Sequence, residues 1–298
     1  MWGKRRITRG RVALVSLLLQ RDIARGRSLL VVIGLLLISG CALVQPTPTP
    51  FIDAERFPPP PRNAITFWGH STCYIDVDGV GIVTDPVLSK GYSPWHRREV
   101  PAPPRSSYAN ARFILISHAH RDHLNPTTLS WFPKSTTIIC PGPSADKISD
   151  LGMNVLVMKP GDSCVYPGGS IIAVNALHPG GRNSLKVRND GGAIGYIVRT
   201  PGSTLYYSGD TEYFDGLTTI GHTYDPDVAL LNVNGHLPAT DALRAFLVLG
   251  VSRAIPIHSS AYTGPAANKN RRFRKEFAEM LGQMCVPLEI GESYAFAE

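Results

Sequence analysis

The chain has 298 residues, 43% of them hydrophobic, which is enough for one or two domains with a buried core. Its formal net charge of +7 comes from the first 40 residues, so that 22 basic residues face 22 acidic residues from position 41 onward. A neutral body argues against a nucleic-acid-binding protein, which needs a basic face. It also argues against strong non-specific attraction to anionic lipid.

The N-terminal segment predicts export. Basic residues precede the apolar run 28–38. This run is shorter than the roughly 20 residues that a transmembrane helix needs, and the pattern is typical of a signal peptide. The following Ile38-Ser39-Gly40-Cys41 resembles a bacterial lipobox, in which the cysteine becomes a lipidated N-terminus. We therefore expect residues 1–40 to be a lipoprotein signal peptide. Cys41 would then anchor the chain to a membrane of the bacterial cell envelope, facing the periplasm or the outside. A plain secretory signal and a single membrane anchor are the alternatives.

A proline-rich segment follows the signal. Gln45–Pro50 and Pro58–Pro61 favour an extended polyproline II spacer, so residues 41–61 are predicted to be a tether. The remaining residues, 62–298, are predicted to form one domain with an ample core.

The four other cysteines show no C-x-x-C spacing, which makes a cysteine zinc knuckle improbable. Cys73 and Cys140 lie in apolar runs and are expected in the core, and a disulfide is permitted without a preferred pair. The four residues are Cys73, Cys140, Cys164 and Cys285.

Short runs rich in isoleucine, valine and aromatic residues predict strands along the body, and helical patterns separate the later ones. Asp78-Gly79, between two early runs, predicts a tight hairpin. The mixture predicts an α/β domain with two mixed sheets flanked by helices. Predicted strands cover residues 65–68, 73–77, 81–84, 113–117, 137–140, 155–158, 170–176, 193–199, 204–208, 228–232 and 254–257. Predicted helices cover residues 126–132, 143–151, 238–250 and 268–281.

One short segment concentrates metal-binding side chains. The buried-looking strand Phe113–Ser117 leads directly into His118-Ala119-His120-Arg121-Asp122-His123. Asn125-Pro126 then has the pattern of a helix start, with asparagine as the cap. Imidazole and carboxylate groups are the ligands that zinc and neighbouring metals prefer. Three of the nine histidines fall within six residues, and this clustering predicts a metal site in a strand-to-helix loop.

The spacing His-x-His-x-Asp-His after a hydrophobic strand resembles the signature of the metallo-β-lactamase superfamily. His178, Asp210 and His258 match its later landmarks in order. The resemblance implies a four-layer αββα sandwich and a dinuclear hydrolase that uses a metal-bridging hydroxide. It implies that His118, His120 and His178 hold one divalent ion and that Asp122, His123 and His258 hold the other. Asp210 would bridge the two ions, and Asp122 and Asp210 are the candidate catalytic carboxylates. Zinc is the expected metal, with manganese or iron as alternatives.

Three further residues are expected near the site. Asp85, at the end of an apolar strand, is a candidate to orient a metal-bound histidine. His70 matches a family position that helps to orient ligands or substrate, and His236 precedes a helix and could face the pocket. His96 and His222 are expected on the surface. Residues 89–111 and 180–191 are expected to form much of the rim.

Trp68-Gly69-His70 and Thr84-Asp85-Pro86 resemble one branch of the superfamily in particular. This branch contains N-acyl-phosphatidylethanolamine phospholipase D and the ascorbate-phosphate lactonases. The resemblance implies a phosphodiester substrate, with a phospholipid as one form of it. A lactone or carboxylic-ester hydrolase and a non-catalytic envelope lipoprotein that binds a small molecule or lipid remain open. Neither the oligomeric state nor the substrate follows from the sequence.

Overall fold

Apolar, β-branched runs along the chain form two large sheets and one small one in the computed structural model, which describes residues 57–178, 192–259 and 261–296. All of these residues belong to one compact unit, Pro50–Glu298. The strands, numbered in chain order, are β1 (Ala64–Gly69), β2 (Thr72–Val77), β3 (Val80–Thr84), β4 (Gly91–Ser93), β5 (His96–Arg97), β6 (Ala111–Leu115), β7 (Thr137–Cys140), β8 (Asn154–Val157), β9 (Ser163–Tyr166), β10 (Gly169–Asn175), β11 (Ile194–Arg199), β12 (Thr204–Tyr207), β13 (Val228–Asn232), β14 (Arg253–Ile257) and β15 (Ser293–Ala295).

Helices are fewer than strands within the described ranges. Their bounds are α1 (Pro126–Leu129), α2 (Gly142–Ala145), α3 (Gly216–Tyr224), α4 (Ala239–Leu249) and α5 (Ala267–Leu281). Single 3₁₀ turns cover Arg105–Tyr108, Ser149–Leu151 and Gly282–Met284.

The first large sheet has the order β15-β1-β2-β3-β6-β7-β8, and the second has the order β14-β13-β12-β11-β10-β9. Strands β3, β6, β7 and β8 are parallel to one another, as are β12, β13 and β14. The remaining neighbours in these two sheets are antiparallel. The strands β4 and β5 pair separately as a small hairpin. Since parallel strands end at the same edge, residues that follow β3, β6, β12, β13 and β14 can converge there.

Two apolar clusters hold these layers together. The first joins the facing sides of the two sheets, where the Tyr196 hydroxyl reaches from β11 to the carbonyl oxygens of Ile116 and Ile139 at 2.7 and 3.0 Å. The second packs the other side of the β9–β14 sheet against α3, α4 and α5, with Leu217, Phe246 and Phe277 buried. This arrangement is the αββα sandwich that the sequence predicts.

Several local predictions are confirmed, and some element bounds are wrong. Asp78 and Gly79 have φ angles of 51° and 89°, which close the β2–β3 hairpin as predicted. The predicted helix over 143–151 is interrupted, because α2 ends at Ala145 and a 3₁₀ turn follows. The strands β4, β5, β9 and β15 and the helix α3 were not predicted. The helix α3 contains three threonines and two glycines, which lower its helix propensity, so that pattern analysis does not reveal it.

The four cysteines of the described domain are free thiols, so no disulfide joins them. Cys73 and Cys140 are fully buried, as expected of small core residues. Among the described residues, no helix combines the length and the apolar character needed to cross a membrane. The signal peptide, the tether and Cys41 lie outside the described residues.

Candidate metal centre

The histidine-rich loop begins where β6 ends and closes as a tight turn. The amides of His123 and Leu124 both donate to the carbonyl oxygen of His120, at 3.1 and 2.8 Å. The loop then enters α1, whose first residue is Pro126, and the Asn125 side chain accepts a hydrogen bond from the Thr128 amide at 2.8 Å. The predicted asparagine cap and first-turn proline are therefore confirmed. The cap fixes the exit of the loop and so limits where its side chains can point.

His118, His120 and His178 form the first ligand group, with their ring nitrogens within 4.8 Å of one another. His178 lies much later in the chain than the other two histidines. Hydrogen bonds of the preceding residue, Leu177, hold it in place. The Leu177 amide donates to the Thr211 hydroxyl at 3.0 Å, and the Glu212 amide donates to the Leu177 carbonyl at 2.9 Å. These bonds fix His178 beside the segment that carries Asp210.

The second ligand group contains Asp122, His123 and His258, and also His70. The Asp122 Oδ2 atom lies 3.9 Å from His123 Nε2, 3.6 Å from His258 Nε2 and 3.4 Å from His70 Nε2. The predicted set is thus brought together, and the structure adds a fourth candidate ligand. His70, expected to orient ligands or substrate, lies as close to Asp122 as the other two histidines do.

Two backbone hydrogen bonds bring His70 to this group. The His70 amide donates to the Ser259 carbonyl at 3.1 Å, and the His258 amide donates to the His70 carbonyl at 2.7 Å. Both histidines have positive φ angles, 58° and 65°. Non-glycine residues rarely adopt this conformation, and they do so mainly where the surrounding structure enforces it. The two imidazole centroids lie 4.0 Å apart as a result.

Asp210 lies between the two groups. Its Oδ1 atom is 3.2 Å from His258 Nε2 and 3.5 Å from His123 Nε2, and its Oδ2 atom is 3.9 Å from His178 Nε2. Each carboxylate oxygen therefore faces a different ligand group. Asn234, which is buried, donates from Nδ2 to Asp210 Oδ1 at 3.4 Å and limits rotation of the carboxylate.

Asp85 is hydrogen-bonded to His123 of the second group and, through Ser117, is linked to His118 of the first group. This fully buried carboxylate accepts hydrogen bonds from His123 Nδ1 at 2.6 Å, from the Ser117 amide at 2.7 Å, and from the hydroxyls of Ser117 and Tyr207 at 2.5 Å each. The Ser117 hydroxyl in turn lies 2.9 Å from His118 Nδ1. Since Nδ1 is engaged in both His118 and His123, the Nε2 atom of each ring is directed into the centre. This is the usual arrangement behind a metal-bound histidine.

The unpartnered nitrogens of the centre fit metal ions. Within the described residues, the Nε2 atoms of His70, His118, His123 and His258 are buried without a hydrogen bond of acceptable geometry. Buried polar atoms without partners cost free energy, so a converging set of them requires an explanation. Imidazole and carboxylate groups that converge in this way are typical of sites for zinc, iron or manganese.

The protonation states agree with this fit. Burial lowers the pKa of His118 well below its ordinary value, lowers that of His178 to about 4 and lowers that of His70 to about 3. These rings are therefore neutral, as metal ligation requires.

The histidines beside Asp210 behave differently. Burial opposes a charge on His258, but Asp210 and Asp122 outweigh it and raise the pKa to about 9. His123 is also buried, and Asp210, Asp85 and Asp122 raise its pKa well above the ordinary value. Positive charge is thus favoured between these carboxylates, and a bound cation would supply it.

His236 is exposed and lies at the mouth of the first group, where its ring centroid is 4.6 Å from that of His178. Asn234 Oδ1 accepts from the His236 amide at 2.7 Å and sets this position. The expectation that His236 faces the pocket agrees with this geometry. His222 is exposed, as predicted.

His96 is not the simple surface residue that we expected. It is half-buried, it stacks on Tyr92 with a centroid distance of 4.7 Å, and Ser93 Oγ lies 2.7 Å from its Nδ1. His96 and Tyr92 line a cavity of about 290 Å³ together with His70, Asp122 and His258. Part of the predicted rim over 89–111 therefore reaches the centre. The other predicted rim segment, 180–191, lies outside the described residues.

Sequence reasoning missed Ser117, Tyr207 and Asn234. Each stands close to a ligand in the chain: Ser117 directly precedes His118, Tyr207 lies three residues before Asp210, and Asn234 lies two residues before His236. Proximity to a predicted ligand was the available signal, but only the fold shows which neighbours point inward.

Comparison with known proteins agrees with this geometry. The β-lactamase superfamily domain matches residues 81–259. A UPF0173 metal-dependent hydrolase from Exiguobacterium sp. is 30% identical over 204 residues, which cover 66% of this chain and 86% of that protein. The chain belongs to this family of metal-dependent hydrolases. A second member, from Pyrococcus furiosus, is 29% identical to the hydrolase described here and covers 77% of the chain and 97% of its own length.

Solved structures show the same fold. Igni18, a metallo hydrolase from Ignicoccus hospitalis, superimposes on the hydrolase with a TM-score of 0.60 at 24% identity, covering 78% of this chain and 97% of its own. The metallo-β-lactamase architecture expected from the sequence is therefore confirmed.

Proposed function

We propose that the hydrolase binds two divalent metal ions and uses them to cleave a phosphodiester. His118, His120 and His178 would hold one ion, and Asp122, His123 and His258 the other, with Asp210 shared between them. The observation that carries this proposal is the position of Asp210, whose two oxygens face two separate ligand groups. When bound, such an ion pair supplies Lewis acidity and an activated water near neutral pH. Zinc is the metal we favour, and manganese or iron suits the same donors.

The protein's own residues define what the site can do. Asp85 holds His123 through Nδ1, and His118 is held through Ser117, so both rings keep a fixed orientation. Asp122 is partly accessible at the mouth of the site, whereas Asp210 is buried. His236 lies beside His178 at the open side of the centre and is placed to contact a bound substrate.

The substrate class rests on the chemistry near the site and on a resemblance. Trp68-Gly69-His70 and Thr84-Asp85-Pro86 resemble the branch that contains N-acyl-phosphatidylethanolamine phospholipase D and the ascorbate-phosphate lactonases. Lys90 and Arg97 are exposed and line a cavity that shares Tyr92 with the cavity at the centre, where their charges can attract an anionic group. Both features favour a phosphodiester over a neutral ester.

The test is hydrolysis of bis-p-nitrophenyl phosphate by the full chain loaded with zinc, manganese or iron. We expect p-nitrophenol release that Asp210→Ala abolishes and that His222→Ala, a change at an exposed histidine, leaves intact. The absence of p-nitrophenol release by all three metal-loaded forms would overturn the proposal. Hydrolysis confined to a lactone panel run in parallel would replace it with the lactonase alternative.

We also propose that Cys41 is lipidated and anchors the hydrolase to the cell-envelope membrane. The support is the lipobox-like Ile38-Ser39-Gly40-Cys41 and the proline-rich segment that follows it. Cells that express the full chain in the presence of labelled palmitate should label the protein, and Cys41→Ser should abolish the label. A label that persists in Cys41→Ser would contradict the anchor.

A further inference from the structure

A second cavity, of about 760 Å³, adjoins the metal centre. It lies between the segment that carries β4 and the segment Arg97–Ala102, so both of its walls belong to the stretch between β3 and β6. Its volume falls within the range of sites that enclose a small organic ligand, about 300–1,000 Å³. The candidate metal ligands do not line it.

Tyr92 is the wall that the two cavities share, since it lines both the large cavity and the smaller one that contains His70, Asp122 and His258. Its ring is held by stacking on His96 and by an edge contact with Tyr262 at 5.1 Å between centroids. The ring centroid lies 6.3 Å from that of His70. A ligand that spans this wall would have one end at the metal centre and the other in the large cavity.

The inner lining of the large cavity is mainly apolar, because its half-buried polar residues, Ser93 and Arg98, are engaged in hydrogen bonds within the protein. Leu88 and Ala102 are buried, and Val100 and Pro101 are half-buried beside them. Arg98 lines it too, but its guanidinium is engaged by the carbonyl oxygen of Trp68 at 2.5 Å and by that of Val87 at 3.3 Å. Such a surface favours an aliphatic ligand, because removal of apolar area from water is the main source of its binding energy.

The rim of the cavity is positively charged. Lys90 and Arg97 are exposed, whereas Glu99 is paired with Arg271 at 3.4 Å. Trp95, which is 76% exposed, lies in the turn between β4 and β5 next to this rim. Tryptophan is enriched where one part of a surface is apolar and another is wet. An apolar interior with a cationic rim matches a molecule with an aliphatic chain and an anionic head.

We propose that the large cavity binds the aliphatic chain of an amphiphilic substrate whose anionic head reaches the metal centre past Tyr92. This inference rests on the proposed function for the identity of the reacting group, but the binding of the chain does not depend on catalysis. The length of the aliphatic chain, and not the anionic head alone, would then determine which substrate the hydrolase prefers.

The experiment measures the hydrolysis of p-nitrophenyl alkyl phosphates, from ethyl to dodecyl, by the full zinc-loaded protein. Each buried methylene contributes a factor of about four to binding, so kcat/KM should rise by several-fold per added carbon and then level off when the cavity is full. In parallel, calorimetric titration of the zinc-loaded protein with ethyl phosphate and dodecyl phosphate, which are monoesters and not phosphodiester substrates, measures binding without turnover. We expect dodecyl phosphate to bind at least 100-fold more tightly.

Val100→Phe is the diagnostic variant, because Val100 lines the cavity and is only half-buried. It should lower kcat/KM for dodecyl substrates by at least tenfold and leave the ethyl substrate unchanged. Val165→Phe, the same substitution at a position 81% exposed on β9, should alter neither. Ala102→Leu is a second variant that reduces the same volume, for use if Val100→Phe does not fold.

The outcomes separate the two proposals. A flat chain-length series in an active enzyme would overturn the inference and leave the phosphodiesterase intact. Tight binding of dodecyl phosphate without hydrolysis of any substrate would support the cavity and overturn the proposed function. An equal loss of ethyl and dodecyl turnover in a folded Val100→Phe protein would also count against the aliphatic site.

Discussion

The Nδ1 atom of His123 lies 2.6 Å from Oδ2 of Asp85, and both side chains are completely buried. The pair links the end of β3 to the loop after β6, two parallel neighbours in one sheet. A carboxylate in this position fixes the ring and raises the basicity of Nε2, the atom that faces Asp122 and Asp210. The metal centre is therefore built on a rigid polar support as well as on its ligands.

Asp85→Asn should weaken metal binding by about 10- to 100-fold, which is the usual effect of losing such a support. The amide can still accept hydrogen bonds, but it carries no charge to balance His123. Competition with a chromogenic chelator measures the affinity. Asp76→Asn is the matched control, because Asp76 is a buried acid of the neighbouring strand β2 whose Oδ1 atom accepts from Asn63 and Gly79 amides. Equal affinities in the two variants would contradict the role of Asp85.

Tyr207→Phe should lower the free energy of unfolding by about 1.5–3 kcal/mol, the range for a hydrogen bond to a charged group. The lost bond is the 2.5 Å contact from the Tyr207 hydroxyl to Asp85. Tyr206→Phe is the control at the next residue. The Tyr206 hydroxyl is buried and has no hydrogen-bond partner among the described residues, so its removal should be neutral or stabilising. Urea unfolding of both variants measures the difference, and equal losses would refute the assignment.

Gly209→Ala should disrupt the centre. Gly209 has a φ angle of +54°, and an added Cβ would lie 2.3 Å from the Cβ of Ser117. Ser117 would have to move, and it holds both Asp85 and His118. We expect loss of metal affinity together with a lower melting temperature. Gly142→Ala, where an added Cβ meets nothing within 4 Å, should change neither quantity.

Metal quantitation tests the two-site arrangement. The full chain purified without chelator should contain about two divalent ions, as two-metal hydrolases do. His178→Ala should retain about one, whereas Asp210→Ala should lose both, because Asp210 faces both ligand groups. If the unaltered protein contained a single ion and His178→Ala did not change that number, the site formed by the first ligand group would be excluded.

Removal of the metal should also destabilise the fold. A ligand present at 100 times its dissociation constant stabilises the folded state by about 2.7 kcal/mol. Dialysis against a chelator should therefore lower the melting temperature by several degrees in the unaltered protein and much less in Asp210→Ala. An equal shift in both would mean that the chelator acts elsewhere.

The sequence was most informative where function is local. Four candidate ligands follow a strand within the six residues His118 to His123, and Asn125 and Pro126 mark the helix that ends the loop. His178, Asp210 and His258 could be proposed only through their order along a known family pattern, since nothing in their own surroundings sets them apart. The four-layer αββα architecture follows from the same resemblance.

Contacts between distant segments could not be predicted. His70 joins the second ligand group because its backbone adopts a positive φ angle and pairs with Ser259 across the sandwich. Tyr207 reaches Asp85 from the opposite sheet. His96 was expected on the surface, because its stacking on Tyr92 depends on a two-residue strand that propensity does not reveal. Each of these relationships depends on tertiary packing, which overrides local preference.

The paired backbone bonds between His70 and the segment His258–Ser259 set an order for assembly. The ribosome synthesises His70 early and β14 late, and contacts of such high sequence separation form slowly. His118, His120 and His178 can meet before β14 arrives, whereas the group around His258 cannot. All residues of the first ligand group have thus been synthesised before the second group can form.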